Sequence, residues 1–218
     1  MQTRYQTPSA AVHKHAVAQC AGEDDHDRPT RYVSAQRRTG RPTPGDTPMN
    51  TTADRLNALD HAAFLALAGP VFEHSPWVAA RAWAARPFDG IDGLHRAMMR
   101  VVTLASEDEQ LALLRAHPDL AGKAARAGNM TSDSVREQAG VGLDRMSDAE
   151  YARFDRLNNA YRTKFGFPFI VAVKRHTRDS ILAAYETRLE NDRASEMATA
   201  LAEVGLITRF RLDTLLAQ

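Results

Sequence analysis

The chain has 218 residues, 44% of them hydrophobic and 25% charged, with a formal charge of +1. That is enough for one folded domain with a tail, and the near-neutral balance excludes a nucleic-acid binder working through bulk electrostatics. One cysteine, Cys20, excludes an internal disulfide framework and any multi-cysteine zinc or iron–sulfur site, which fits a reducing cytoplasm best.

Residues 1 to about 50 are rich in Arg, Gln, Thr, Pro and His and almost free of Leu, Ile and Phe. Such a segment cannot bury enough apolar area to offset its ordering entropy, so a disordered tail is expected. Its GEDDHD cluster is too acidic for a transit peptide, and Met49 offers an alternative start. The first residues lack a signal core, and no apolar run approaches the roughly 20 residues of a membrane span. A cytoplasmic protein without a membrane partner is the expectation.

From residue 51 to 218 the pattern is helical. Leu56, Leu59, Phe64 and Leu67 form an apolar face ended by Gly69-Pro70. Ser75-Pro76 reads as an N-cap with proline at the first helical position, opening a short helix with Trp77 and Trp83. Ile91, Leu94, Met98, Val101 and Val102 mark the next helix. Ser106-x-x-Glu109 has capping-box spacing and leads through Leu111 and Leu114 to His117. Ser134-x-x-Glu137 and Ser147-x-x-Glu150 repeat that spacing. The latter opens a helix with Tyr151, Phe154, Leu157, Tyr161 and Phe165, stopped by Gly166. FPFIVAV, residues 167–173, is the one short extended segment, and an isolated strand makes no sheet. Helices over about 178–190 and 192–216 complete an all-α fold, a single helical bundle of about seven to nine helices.

A phosphate loop, HExxH and GxSxG are all absent from the sequence, which leaves cofactor-free chemistry or binding. Three polar features stand out. Ala200, Val204, Ile207, Arg211 and Leu215 share one helix face, apolar except for Arg211. A guanidinium there is either a snorkelling or internally paired side chain, or a clamp for a substrate carboxylate. Ser134, Glu137 and Gln138 lie at i, i+3 and i+4, so they are either a capping box or, if Thr131, Ser132 or Asp133 caps instead, a free polar face. His61, His74, His95, His117 and His176 show no metal-ligand spacing, so no metal is expected. His117 sits at a helix end before Pro118, which lacks an amide hydrogen and pushes the histidine toward extended geometry.

The segments HPDLAGKAARAG, SVREQAGVGLD, LNNAYRTKFGFPFIVAV and ITRFRLDTLL, with FEHSPWVAARAWAARPFDGIDGLHRAM upstream, together resemble the OHCU (2-oxo-4-hydroxy-4-carboxy-5-ureidoimidazoline) decarboxylases of urate breakdown. The resemblance covers about residues 51–218. It implies a carboxy-lyase of purine catabolism that forms (S)-allantoin from this small-molecule substrate, without a cofactor and usually as a homodimer. It further implies that His117 is the catalytic histidine, with Pro118 beside the ligand. Ser134, Glu137 and Gln138 would bind and polarise the substrate, and Phe169, Ile170, Val171, Ala172 and Val173 would offer backbone groups to the ring. Arg211 would bind the carboxylate, giving His117, Glu137 and Arg211 as the catalytic set. The departing carboxylate sits beside a ring C=N that can hold the electron pair, so the protein need only orient, stabilise charge and move protons. His117, with an imidazole that titrates near working pH, is the expected general acid/base, held by Glu137 unless that carboxylate takes the ureido nitrogens. The rivals are a non-catalytic helical protein that binds a heterocyclic carboxylate, and a protein-interaction module in which these residues are structural.

Overall fold

A computed structural model describes residues 51–122 and 130–217, all within the second of the two units into which the chain divides, Thr47–Gln218. The expected disordered tail, with Cys20 and Met49, lies outside the described residues. Among the described residues there are nine α-helices and no strand: α1 Thr52–Ala58, α2 His61–Ala68, α3 Trp77–Ala82, α4 Ile91–Leu104, α5 Glu107–Arg115, α6 Ser132–Gly140, α7 Asp148–Phe165, α8 Arg178–Leu189 and α9 Arg193–Leu216. Short 3-10 turns lie at Gly69–Val71, Trp83–Ala85 and Val173–Arg175.

Local chemistry accounts for most boundaries. Ser106 and Ser147 each accept the amide hydrogen of the residue three positions on, and Glu109 and Glu150 answer back, so both expected capping boxes form. Gly166, at φ +79°, closes α7 in the left-handed conformation that glycine adopts without a Cβ penalty. Two boundaries differ from the sequence reading, and at a third the structure selects one of the open alternatives. The apolar face before Gly69 belongs to two helices, because Asp60 caps a new one at His61. Ser75 does not cap α3 with its side chain; it is buried, and Pro76 takes the cap position. Helix α6 is capped by Thr131, whose hydroxyl accepts from the Ser134 amide, so Ser134 and Glu137 are not a capping box.

The long helix α9 packs on α4, α5, α7 and the Gly69–Val71 turn, which explains why its Ala200, Val204, Ile207 and Arg211 are all buried. Beside it lies an aromatic core in which Tyr161 meets Phe165, Phe167, Phe169 and Tyr185, and Phe169 stacks on Tyr185 with centroids 3.7 Å apart. Phe167 and Phe169 therefore anchor the 167–172 segment as a buried run without regular secondary structure, and from Val173 the chain turns into a 3-10 helix. Its polar backbone is met by side chains instead: Arg188 Nη1 donates to the Ile170 carbonyl at 2.7 Å, and the Ala172 amide donates to Glu203 Oε2 at 2.7 Å.

Candidate active site

Helix α5 stops at Arg115, and the two following residues turn out of it, with the His117 amide reaching back to the Leu114 carbonyl at 3.2 Å. The ring is buried, and Nδ1 lies 2.9 Å from the Leu113 carbonyl oxygen. A carbonyl can only accept, so Nδ1 carries the hydrogen and neutral His117 keeps its lone pair on Nε2. Nε2 is buried and has no hydrogen-bond partner among the described residues, and the histidine lines a cavity. Burial pulls the His117 pKa down to about 4, against the opposing pull of the Leu113 carbonyl and of Glu73. The expectation of an imidazole titrating near working pH is thus corrected: the resting ring is a neutral base.

The loop after His117 is clamped. Ala121 sits at φ +51°, a strained position for a residue with a Cβ. Gln138 Oε1 accepts the Ala121 amide hydrogen at 2.9 Å, Asn158 donates to the Leu120 carbonyl at 2.9 Å, and Arg162 donates to Asp119 at 2.7 Å. Gln138 therefore holds the loop that presents His117.

Across the cavity, Arg211 uses all five of its N–H donors on protein groups. Nε and Nη2 form a fork on Glu137 at 3.0 and 2.9 Å. Nη1 donates to Glu73 at 2.9 Å and to the Val71 carbonyl at 3.3 Å, and Nη2 also donates to Ser134 Oγ at 3.3 Å. Burial alone would make this guanidinium easier to deprotonate, but Glu137 and Glu73 outweigh it and hold the proton more tightly than usual. Glu73 in turn accepts from the hydroxyls of Thr131 at 2.7 Å and Ser134 at 3.1 Å. Burial pushes its pKa up, yet Thr131 and Arg211 prevail and keep it below the usual carboxylate range.

The cavity brings together His117, Pro118, Ser134, Glu137, Gln138, Phe169, Ile170, Val171, Val173 and Arg211. Of the residues expected from sequence only Ala172 does not line it, and its amide is spent on Glu203. With the Ile170 carbonyl spent on Arg188, two backbone groups of the segment are unavailable to a ligand. Of the two roles expected of Glu137, the contact with His117 is not formed; its carboxylate forks on Arg211 instead. The residue missed in the sequence is Glu73. The demand of a core-facing arginine for an anion was its one signal, but Glu73 lies between helices, where no periodicity marks it. Among the described residues no group of His, Cys, Asp or Glu is arranged to hold a metal ion.

The OHCU decarboxylase family model matches residues 57–213. The chain is 48% identical over 164 residues to a 2-oxo-4-hydroxy-4-carboxy-5-ureidoimidazoline decarboxylase of Halalkalicoccus jeotgali, covering 75% of this chain and 91% of that protein. It is 47% identical to a namesake in Haloferax volcanii, covering 74% and 94%. The crystal structure of an (S)-allantoin synthase superposes with a TM-score of 0.59 at 32% identity, over 76% of this chain and 54% of that one. The chain belongs to the OHCU decarboxylase family.

Proposed function

We propose that the protein decarboxylates 2-oxo-4-hydroxy-4-carboxy-5-ureidoimidazoline to (S)-allantoin in urate breakdown. The observation that carries this reading is the buried Nε2 of His117, without a partner among the described residues, in a cavity that also holds an arginine with two carboxylates. In the substrate, C4 bears both hydroxyl and carboxylate and lies beside the C5=N bond. When the C4–carboxylate bond breaks, its electron pair becomes C4=C5 and the C=N pair moves onto nitrogen, which takes a proton from solvent. The hydroxyl then loses its proton to become a ring carbonyl, and C5 gains one. Overall CO2 leaves and one proton is consumed, and the conjugated ring is the electron sink.

His117 is suited to both transfers. Its neutral Nε2 takes the hydroxyl proton, and the resulting imidazolium delivers a proton to C5 from one face, which fixes the configuration. Arg211 binds the carboxylate, Ser134 and the Val171 backbone orient the ring, and apolar Leu120, Ile170 and Ile207 limit water. Cytoplasmic location and homodimerisation belong to the same proposal. Among the described residues no helix is long and apolar enough to cross a membrane. The test is substrate freshly generated by urate oxidation. Accelerated CO2 release with optically active allantoin supports the proposal, and racemic product at the spontaneous rate refutes it.

A further inference from the structure

Arg211 is held by two carboxylates that differ in kind. The Glu73 side chain is 1% exposed and has three further anchors besides charge, the Thr131 and Ser134 hydroxyls and the Nη1 edge of Arg211. The Glu137 side chain is 14% exposed, and among the described residues its hydrogen bonds go to Arg211 alone. Glu137 occupies the Nε/Nη2 edge, the face on which a guanidinium grips a carboxylate with two parallel bonds. A substrate carboxylate has the same shape and charge as the group already there. That edge is filled by Glu137, so a ligand carboxylate can take it only if the Glu137 side chain moves. Glu137 also borders a second cavity of about 420 Å³, lined by Lys174, Thr214 and the Arg136–Asp133 ion pair, which gives its side chain room to move.

We propose that Glu73 is a positioning residue, the fixed counter-ion that holds Arg211 in place while Glu137 surrenders the Nε/Nη2 edge to the ligand carboxylate. Glu137 is then an internal competitor of the substrate, and once displaced it is free to accept from the ureido N–H groups. Without Glu73, Glu137 is the one carboxylate partner of the guanidinium among the described residues, and Arg211 follows it, so the edge is no longer presented to the ligand. This inference rests on the decarboxylase reading.

Steady-state kinetics of CO2 release, with KM and kcat resolved, test it. In Glu137→Gln the competing charge is gone, so KM for the anionic substrate falls several-fold while kcat drops. In Glu73→Gln, KM rises by about tenfold and the loss falls mainly on KM. The double variant returns KM to that of Glu137→Gln, because the residue that captured Arg211 is no longer charged. A purely structural Glu73 would instead give additive losses. Thr131→Val, which removes one anchor of Glu73 and leaves its charge, raises KM in the same direction by about threefold and covers the case in which Glu73→Gln does not fold. A raised KM in Glu137→Gln, or additive KM changes in the double variant, overturns the exchange. No CO2 release from the unaltered protein overturns the decarboxylase reading itself, so the two failures are distinguishable.

Discussion

Among the described residues there are two buried arginine–carboxylate clusters near the 169–173 segment: Arg188 bonds its Ile170 carbonyl, and Arg211 lines the same cavity as Phe169, Ile170, Val171 and Val173. At Arg188, one guanidinium meets one carboxylate, Glu196, through Nε at 2.8 Å and Nη2 at 2.5 Å. The other groups around them are the Tyr161 hydroxyl, Asn191 and the Ile170 carbonyl. Charges balance, and the cluster has one evident job, pinning the segment. At Arg211, one guanidinium meets two carboxylates beside a cavity and a histidine nitrogen that has no partner among the described residues. The comparison teaches how to tell a scaffold ion pair from a functional one. A buried pair that closes its own charge and hydrogen-bond account is structure, whereas surplus charge next to an unpaired base is a site awaiting a ligand.

Substitutions in the two clusters should therefore fail in different ways. The largest effect belongs to the site: His117→Asn should lower kcat by about 10²–10⁴ with little loss of fold, as expected for removal of a general acid/base. Kinetics beside a thermal melt check it, and a variant with full turnover and stereoselectivity would erase the distinction. Next comes Glu196→Ala, which strands the Arg188 charge and should cost about 3–5 kcal/mol of stability. Denaturant unfolding reads that loss, and the folded fraction should retain substrate turnover far better than His117→Asn. Arg211→Ala is a poor probe, because two carboxylates would be orphaned and stability and activity would fall together.

A smaller effect separates the clusters by pH. The folded His117 pKa of about 4 lies below the ordinary histidine value of 6.5, so between these pH values the unfolded chain binds more protons. Stability should therefore fall as pH drops from about 6.5 to about 4, by on the order of 3 kcal/mol, and His117→Asn should remove that part of the slope. The Arg188 variants should keep it. The smallest effect is Gln138→Ala. Losing the grip on the strained Ala121 amide should cost about 1–2 kcal/mol and lower kcat by loosening the presentation of His117, readable in the same melt and assay.

Much of this was legible in the sequence because helices write themselves in periodic code. The Ser106–Glu109 and Ser147–Glu150 boxes, the Gly166 stop and the buried arginine of the last helix all follow from local spacing. What the sequence concealed is long-range. Thr131 competes with Ser134 for one cap, and the choice is set by where Ser134 is needed, on Glu73 61 positions away. The depressed pKa of His117 comes first from burial, which no single segment reports. Glu73 lies in a loop, and its meaning appears only when Arg211, 138 positions later, arrives beside it. Family resemblance located His117, Glu137 and Arg211, but the pairing among them is a property of the folded site.

The most direct measurement of the central claim is paired turnover of freshly generated ureidoimidazoline carboxylate by the unaltered protein and by His117→Asn, following CO2 release and circular dichroism of the product together. The account predicts rapid CO2 release with an (S)-allantoin signal in the first. In the second it predicts near-spontaneous release with little optical activity. Equal rates and equal dichroism in the two would contradict it, because the buried Nε2 would then have no part in moving the proton.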